Sequence, residues 1–512
     1  MALPLTHACL CVILVSGFVL WLDRRLRRFP MPPGPRGFPI IGNALQMPQE
    51  REWVKFTEWA KTYGGILHLS IFNTHFIVLN DAEVIAELLE KRSAIYSDRP
   101  FFPLACDLIG YDKFIILEPY GPRLREGRKF LLNNFNTRNM TAFHTVQKSK
   151  VSLFLRKILE DNANLRLHVR WLVAAIVFQV SHGRNITDFN DPFVKLVETT
   201  NEDFALSVRP FVYLVDSLPF LKYVPDWVPG TGWKSVIRER RRTLHRLRDY
   251  PYEVVKQQLA QGTAKPSITA SVIESNPHPD PEEEELQKTS TSILYSAAAD
   301  TSVSAIESFF LIMTLYPEVQ KKAQVELDSV VEAGRLPDYS DRDKLPYIDA
   351  LIKEVLRWNP VLPLALPHSL MEDDTYRGYH IPKGATVLAN SWAVMHDPAL
   401  YPDPFEVKPE RYLSDQGALN PDPRQFAFGY GRRVCPGQLL AEDTLFLLIA
   451  SVLSTMNITK PIGPDGLPID VNVEYTSGAI SHPASVQCGI AVRSVEAEKL
   501  ILNNTLSRDG EA

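Results

Sequence analysis

Cysteine is scarce in this chain, with five residues in 512. Cys9 and Cys11 lie in an N-terminal apolar run, and Cys106, Cys435 and Cys488 are far apart. No C-x-x-C pair occurs. That excludes a disulfide framework and a zinc knuckle, and it fits a reducing compartment. An excess of one charge sign is also missing. A net charge of −5 argues against a general nucleic-acid binder. No internal repeat is present, and no flavin or dinucleotide domain is recognisable. The length alone suits several domains, but large α-rich enzymes reach it as one unit.

The one long apolar run is LPLTHACLCVILVSGFVLWL (3–22), about long enough to cross a bilayer. Arg24, Arg25, Arg27 and Arg28 follow it, and no positive charge precedes it. The positive-inside rule then keeps the arginines cytosolic. A cleaved signal peptide needs a basic start and a small-residue cleavage site, and neither is clear. Residues 1–28 therefore read as an uncleaved anchor with a basic stop. The segment 29–43 (FPMPPGPRGFPIIGN) reads as a stiff proline-rich linker. Residues 44–512 read as one globular unit in the cytosol, where the sequons at Asn139, Asn185, Asn457 and Asn503 would stay unmodified.

The expected fold class is mainly α with a minor β-sheet region. Residues 65–80 alternate like strands, and a second strand-like stretch spans 376–392. Between about 82 and 360 the pattern is mostly helical. The apolar, proline-broken stretch 217–233 precedes a basic helix expected over 237–248, and together they suit a loop dipping into a membrane as well as a buried connection. Residues 263–285 read as a polar surface loop. A long buried helix is expected from about 285 to 316, with glutamates at its positive end.

The segment 426–438, FAFGYGRRVCPGQ, is the most pointed feature. Gly429 and Gly431 permit positive φ and a close backbone approach. Pro436 suits the first position of a following helix. Cys435 would then sit at a helix N-terminus, where free N–H groups and the dipole favour a thiolate. A single thiolate without companion ligands suits haem iron, because the porphyrin brings the other donors. Arg433 is placed to face a haem propionate.

Phe428-x-x-Gly431-x-Arg433-x-Cys435-x-Gly437 resembles the signature of the cytochrome P-450 superfamily at every fixed position. The resemblance runs over nearly the whole chain and is nearest to microsomal members of fungal secondary metabolism. It implies that Cys435 is the axial ligand, that Phe428 packs beside it and that Gly437 allows close helix packing. KEVLRWNP (353–360) and KPERYL (408–413) resemble two further family motifs, implying a buried structural triad of Glu354, Arg357 and Arg411; Tyr412 stands where the family has Phe. AAADTS (297–302) resembles the oxygen-side motif of the central helix, with Ala298 for the usual glycine. There Asp300 and Thr301 would be the catalytic proton relay; the plainer reading of Thr301 is a bond to the carbonyl four residues back. Arg128 and His368 are implied propionate partners, and Leu124 replaces a tryptophan of the Arg128 motif.

These matches imply a membrane-bound monooxygenase containing haem b. Electrons would come from NADPH through a separate flavin-containing cytochrome P-450 reductase, with cytochrome b5 as a further candidate donor. Arg432 is a candidate docking residue for that acidic partner. The expected location is the endoplasmic reticulum membrane, single-pass, with the catalytic unit facing the cytosol. By family position the pocket would draw on 101–116, 293–301, 361–366 and 476–480. These are mainly apolar, so a small hydrophobic substrate is expected: a terpenoid, aromatic or polyketide intermediate, or a xenobiotic. The alternatives are a haem-thiolate peroxygenase or isomerase needing no reductase, and a non-enzymatic haem-binding membrane protein.

Overall fold

The computed structural model describes residues 29–72, 74–208, 213–413 and 420–506. The expected anchor at 1–28 lies outside them. Helices dominate. The longest is the central helix, Pro281–Leu315. Its start is overdetermined: Asp280 and Glu283 form a capping box, Pro281 occupies the first turn, and Glu282, Glu283 and Glu284 face the positive dipole end. It therefore begins about a turn before the expected 285. The helices Leu165–His182 and Gln438–Thr455 join it in the main core, which includes Phe178, Ile306, Phe309, Phe310, Phe446 and Leu448.

Four strands form the larger sheet. β1 (Ile66–Ile71) and β2 (Thr74–Leu79) make a hairpin with Leu67 opposite Val78. β3 (His368–Ser369), β4 (Asp374–Tyr376), β5 (Tyr379–Ile381) and β6 (Thr386–Ala389) come from the second strand-like region. β6 runs parallel to β2 and antiparallel to β3, giving the order β1-β2-β6-β3. Thus the sheet joins segments about three hundred residues apart, and its last strand carries His368. β4 pairs with β5, and β7 (Met456–Thr459) pairs with β8 (Gly489–Val492).

Two expectations are corrected. The polar stretch 263–285 is not all loop: Ile268–Ser275 is a helix, capped by the Ser267 hydroxyl. Its Ile268, Ala270, Val272 and Ile273 are buried, and Ala270 and Ile273 share a cluster with Tyr252 and Val255. The burial of ITASVI outweighs its polar flanks. The basic helix is also longer than expected, running Trp233–Ala260.

Among the described residues, two helices are long and apolar enough to cross a membrane, the central helix and Gln438–Thr455. Their apolar windows are 67% and 72% buried, so both are core helices here.

Candidate haem-thiolate site

The cysteine segment folds as a tight series of turns. The Cys435 amide donates to the Phe428 carbonyl at 2.7 Å, closing the loop between them. Gly431, at φ +55°, lies so close to the Leu89 carbonyl that a Cβ would sit 2.1 Å from its oxygen. Only glycine fits there. The following helix begins at Gln438, with Gly437 as its N-cap. Pro436 and Cys435 therefore precede the helix, which corrects the expectation that Pro436 is its first residue. Gly437 is not at a close helix contact either. A Cβ there would meet only the Cys435 sulfur, at 3.9 Å, an ordinary contact.

Protein surrounds Cys435 closely, yet its side chain keeps accessible surface. Burial raises its pKa, while the Gly437 N–H and the charge of Arg128 pull it down without prevailing. Binding a metal would displace the thiol proton. Cys106, Cys435 and Cys488 are all unpaired. Among the described residues no group of three or more His, Cys, Asp or Glu side chains is placed to hold a metal ion. A metal at Cys435 must therefore bring its other donors with it, as haem iron does.

Beside the thiol lies a buried cationic cluster. Arg433 donates to the carbonyls of Ser97 (2.8 Å), Ile115 (3.2 Å) and Glu118 (2.7 Å). Arg128 donates to the Val434 carbonyl at 2.8 Å. Arg99, which the sequence reading did not single out, donates to Ile116, Leu366 and Pro367 carbonyls. None of these bonds goes to a carboxylate. Burial lowers the pKa of Arg99, and the charges of Arg433 and Arg128 lower it further. Burial brings Arg433 down to about 10, against the pull of Asp98. His368 Nδ1 donates to the Tyr96 carbonyl at 2.7 Å; burial, then Arg99, holds its imidazole neutral, at about 3. Asp98 and Glu118 both act on Arg433, but burial raises Glu118 to about 7, so the three arginines outnumber the ionised carboxylates, which fits a ligand bearing carboxylates, as haem does.

The central helix is interrupted in its burial midway along its length. It is buried over 289–295 and 303–314, but Ala297 is exposed and 298–302 are half-buried. Mid-helix exposure in a core element marks a side that borders internal space. The Thr301 hydroxyl donates to the Ala297 carbonyl at 2.9 Å, the plainer of the two readings of that residue. Asp300 Oδ1 lies 3.2 Å from His482 Nε2, a partner the sequence reading also missed.

Elsewhere in the core, Glu354 and Arg357 are fully buried and joined at 2.8 Å, and Arg411 Nε reaches the same carboxylate at 3.1 Å. Arg357 also donates to the Met395, Pro404 and Glu406 carbonyls, and Arg411 to Pro402. These bonds staple the helix Pro346–Trp358 to the loop that leads into the cysteine segment.

A family model for Cytochrome P450 matches residues 32–477. The chain belongs to the cytochrome P450 family. Its relatives include Cytochrome P450 monooxygenase 208 of Postia placenta, 43% identical over 94% of each chain. Cytochrome P450 monooxygenase claR of Ampulloclitocybe clavipes is 42% identical over 93% of this chain and 89% of its own. Tryptamine 4-monooxygenase of Psilocybe cyanescens is 38% identical over 96% and 98%. The P450 family is one of haem-thiolate monooxygenases, and the mainly helical architecture with small sheets is the P450 fold. The resemblance first met in 428–437 thus extends through the chain.

Proposed function

We propose that this P450 is a membrane-bound monooxygenase of fungal secondary metabolism that oxidises a small hydrophobic substrate. The observation that carries the site is the accessible thiol of Cys435 beside a cluster of arginines whose hydrogen bonds go to backbone carbonyls. Cys435 Sγ would ligate the iron. Arg128 and Arg433 would hold the haem carboxylates with Arg99, and His368 would stand beside them as a neutral ring. Phe428 fixes the cysteine loop through its carbonyl. Glu354, Arg357 and Arg411 keep the frame rigid. Haem, once bound, supplies the iron that lets O2 be split with two electrons, one atom entering the substrate and the other leaving as water. Thr301 Oγ1 and the Asp300 carboxylate hold and move the protons this consumes.

The apolar make-up of 101–116, 293–301, 361–366 and 476–480 supports an apolar substrate. One relative's name specifies tryptamine, which supports an aromatic intermediate as one class to test. Membrane attachment is supported by the run at 3–22 and by a second surface: Leu214, Phe220, Tyr223 and Trp227 are exposed by 62–82%. The nearby basic helix lines a groove with Arg238, Arg241, Arg242 and His245, which suits an anionic bilayer surface. Residues from 44 onward would form one catalytic unit in the cytosol on the endoplasmic reticulum membrane. Electrons would come from a separate NADPH-dependent reductase or cytochrome b5, with exposed Arg432, bonded to the Tyr120 hydroxyl, on the docking face.

The test has two parts. Dithionite-reduced membranes are exposed to carbon monoxide. A far-red-shifted Soret band is expected for the wild type and not for Cys435→Ala. Labelled O2 is then supplied with reductase and apolar substrates. A product carrying no label would end the monooxygenase reading.

A further inference from the structure

The loop after residue 475 lays a histidine across one face of the central helix. His482 Nε2 lies 3.2 Å from Asp300 Oδ1, and its Nδ1 lies 3.5 Å from Glu307 Oε2. Asp300 and Glu307 are two helical turns apart, so their side chains leave the helix on the same side. Glu307 is 1% exposed, and its other oxygen accepts from Arg166 Nε at 2.8 Å. The Arg166 side chain is 41% exposed and belongs to the helix Leu165–His182. A continuous polar chain therefore runs from the surface, through Glu307 and His482, to the carboxylate next to Thr301.

The loop is pinned where this chain needs it. The His482 amide donates to the Thr476 hydroxyl at 3.0 Å. The Ser481 carbonyl accepts from the hydroxyl of Ser304 on the central helix, and the Ser481 amide donates to the Val361 carbonyl at 2.9 Å. Arg166 also donates to the Pro483 carbonyl at 2.7 Å. These bonds fix the loop backbone on both sides of His482 and leave the imidazole to turn about its own side-chain bonds.

Charge explains why a histidine belongs there. Arg166 pairs with Glu307, so a neutral ring would leave the half-buried charge of Asp300 unbalanced, and an imidazolium balances it. The other charges facing the site are Arg170, on the same helix as Arg166, and Glu198 of the helix Pro192–Ser207; these two pair with each other at 2.7 Å. Burial pushes the His482 imidazole down, but its bonds to Asp300 and Glu307 and their charges outweigh burial and raise it to about 9.

We propose that His482 is the positioning residue of the P450 proton relay, orienting Asp300 and feeding it protons drawn from solvent past Arg166 and Glu307. This rests on the reading of Asp300 and Thr301 given above. The Nε2 proton moves to Asp300 Oδ1, leaving a neutral ring and a carboxylic acid. Asp300 then releases a proton on the Thr301 side and becomes a carboxylate again. The vacated Nε2 faces Asp300, so the ring turns about its side-chain bonds to present it to Glu307, takes a proton that Glu307 has drawn from water at the Arg166 end, and turns back. One proton enters, one leaves, and no electron moves.

The first measurement needs no variant at His482. Histidine C2–H deuterium exchange, read by mass spectrometry on the full-length holoenzyme in detergent, reports each ring's titration. His482 is expected to titrate near 9, and Asp300→Asn to bring it down toward 6.5. A wild-type value at or below 6.5 overturns the relay. The second uses substrate-free holoenzyme with reductase. His482→Gln keeps a donor for Asp300 but carries no titrating proton. NADPH oxidation is expected to slow about tenfold, short of the full effect of a group touching the reacting atoms. The solvent deuterium isotope effect should rise, and the pH profile should lose its alkaline limb. A rate, isotope effect and pH profile all unchanged from wild type overturn the relay and leave the monooxygenase reading intact. Failure of that earlier reading looks different: the wild type itself would consume no NADPH with reductase present, and the relay would fall with it.

Discussion

Tyr412 donates its hydroxyl to Glu354 Oε2 at 3.1 Å. The residue that departs from the family's phenylalanine thus adds a donor to the carboxylate that Arg357 and Arg411 already share. The backbone N–H of Lys408 is a further donor, at 2.8 Å. Tyr412→Phe removes one bond from a carboxylate that keeps several others. A stability loss of about 1–2 kcal/mol is expected, at the lower end for a bond to a charged group. The reduced carbon monoxide spectrum should survive, and the apparent Tm should fall.

Glu354→Ala acts on the same carboxylate with the opposite severity. It strands two buried guanidinium groups, and breaking such a pair costs about 3–5 kcal/mol. Little folded protein is expected, measured as haem recovered per milligram of expressed chain. Recovery equal to wild type would refute the structural role of the triad.

Gly431→Ala should be nearly as damaging. The left-handed backbone costs about 1–2 kcal/mol for a residue with a Cβ. The new methyl would also sit 2.1 Å from the Leu89 carbonyl oxygen, backbone that cannot swing aside. A lower apparent Tm and a smaller haem-to-protein ratio are expected. Gly437→Ala, meeting only ordinary contact with the Cys435 sulfur, should be the milder change in the same assay.

Arg99 tests the cationic cluster. If the cluster holds the haem carboxylates, Arg99→Gln should speed haem loss to an acceptor apoprotein by roughly tenfold, about the worth of one charge-assisted hydrogen bond. Arg128→Gln should act in the same direction. Haem loss at the wild-type rate in both variants would assign the cluster to loop packing alone.

His396 gives a pH signature. Its ring stacks on Trp392, with centroids 4.1 Å apart, and Nδ1 donates to the Trp392 carbonyl. Burial, then the charge of Arg357, holds the imidazole neutral, at about 3. The unfolded chain takes up a proton below the ordinary value of 6.5, and the folded chain does not. The stability this ring contributes is therefore present above pH 6.5 and is lost as pH falls toward 3. His396→Phe should gain on the wild type by about 1.4 kcal/mol per pH unit below 6.5. Thermal melts between pH 7 and 4 measure the gap. A gap constant with pH would mean that the ring titrates normally.

The sequence by itself determined the local features. The spacing of Phe428, Gly431, Arg433, Cys435 and Gly437 marked the cysteine loop, because the pattern lies within ten consecutive residues. Glu354 and Arg357 share a helix face by their spacing of three, and the alternation of 65–80 fixed which strand residues point inward. Tertiary structure alone decided what those features meet. Arg99 enters the cationic cluster through bonds to Leu366 and Pro367, more than 260 residues away. His482 reaches Asp300 only because the loop after 475 folds back over the central helix. The upward shift of the Cys435 thiol comes from how densely the chain surrounds it, which outweighs the local N–H of Gly437. Periodicity and turn chemistry are properties of neighbours along the chain. Burial and electrostatic fields sum over everything packed nearby, so they exist only once distant segments have been brought together.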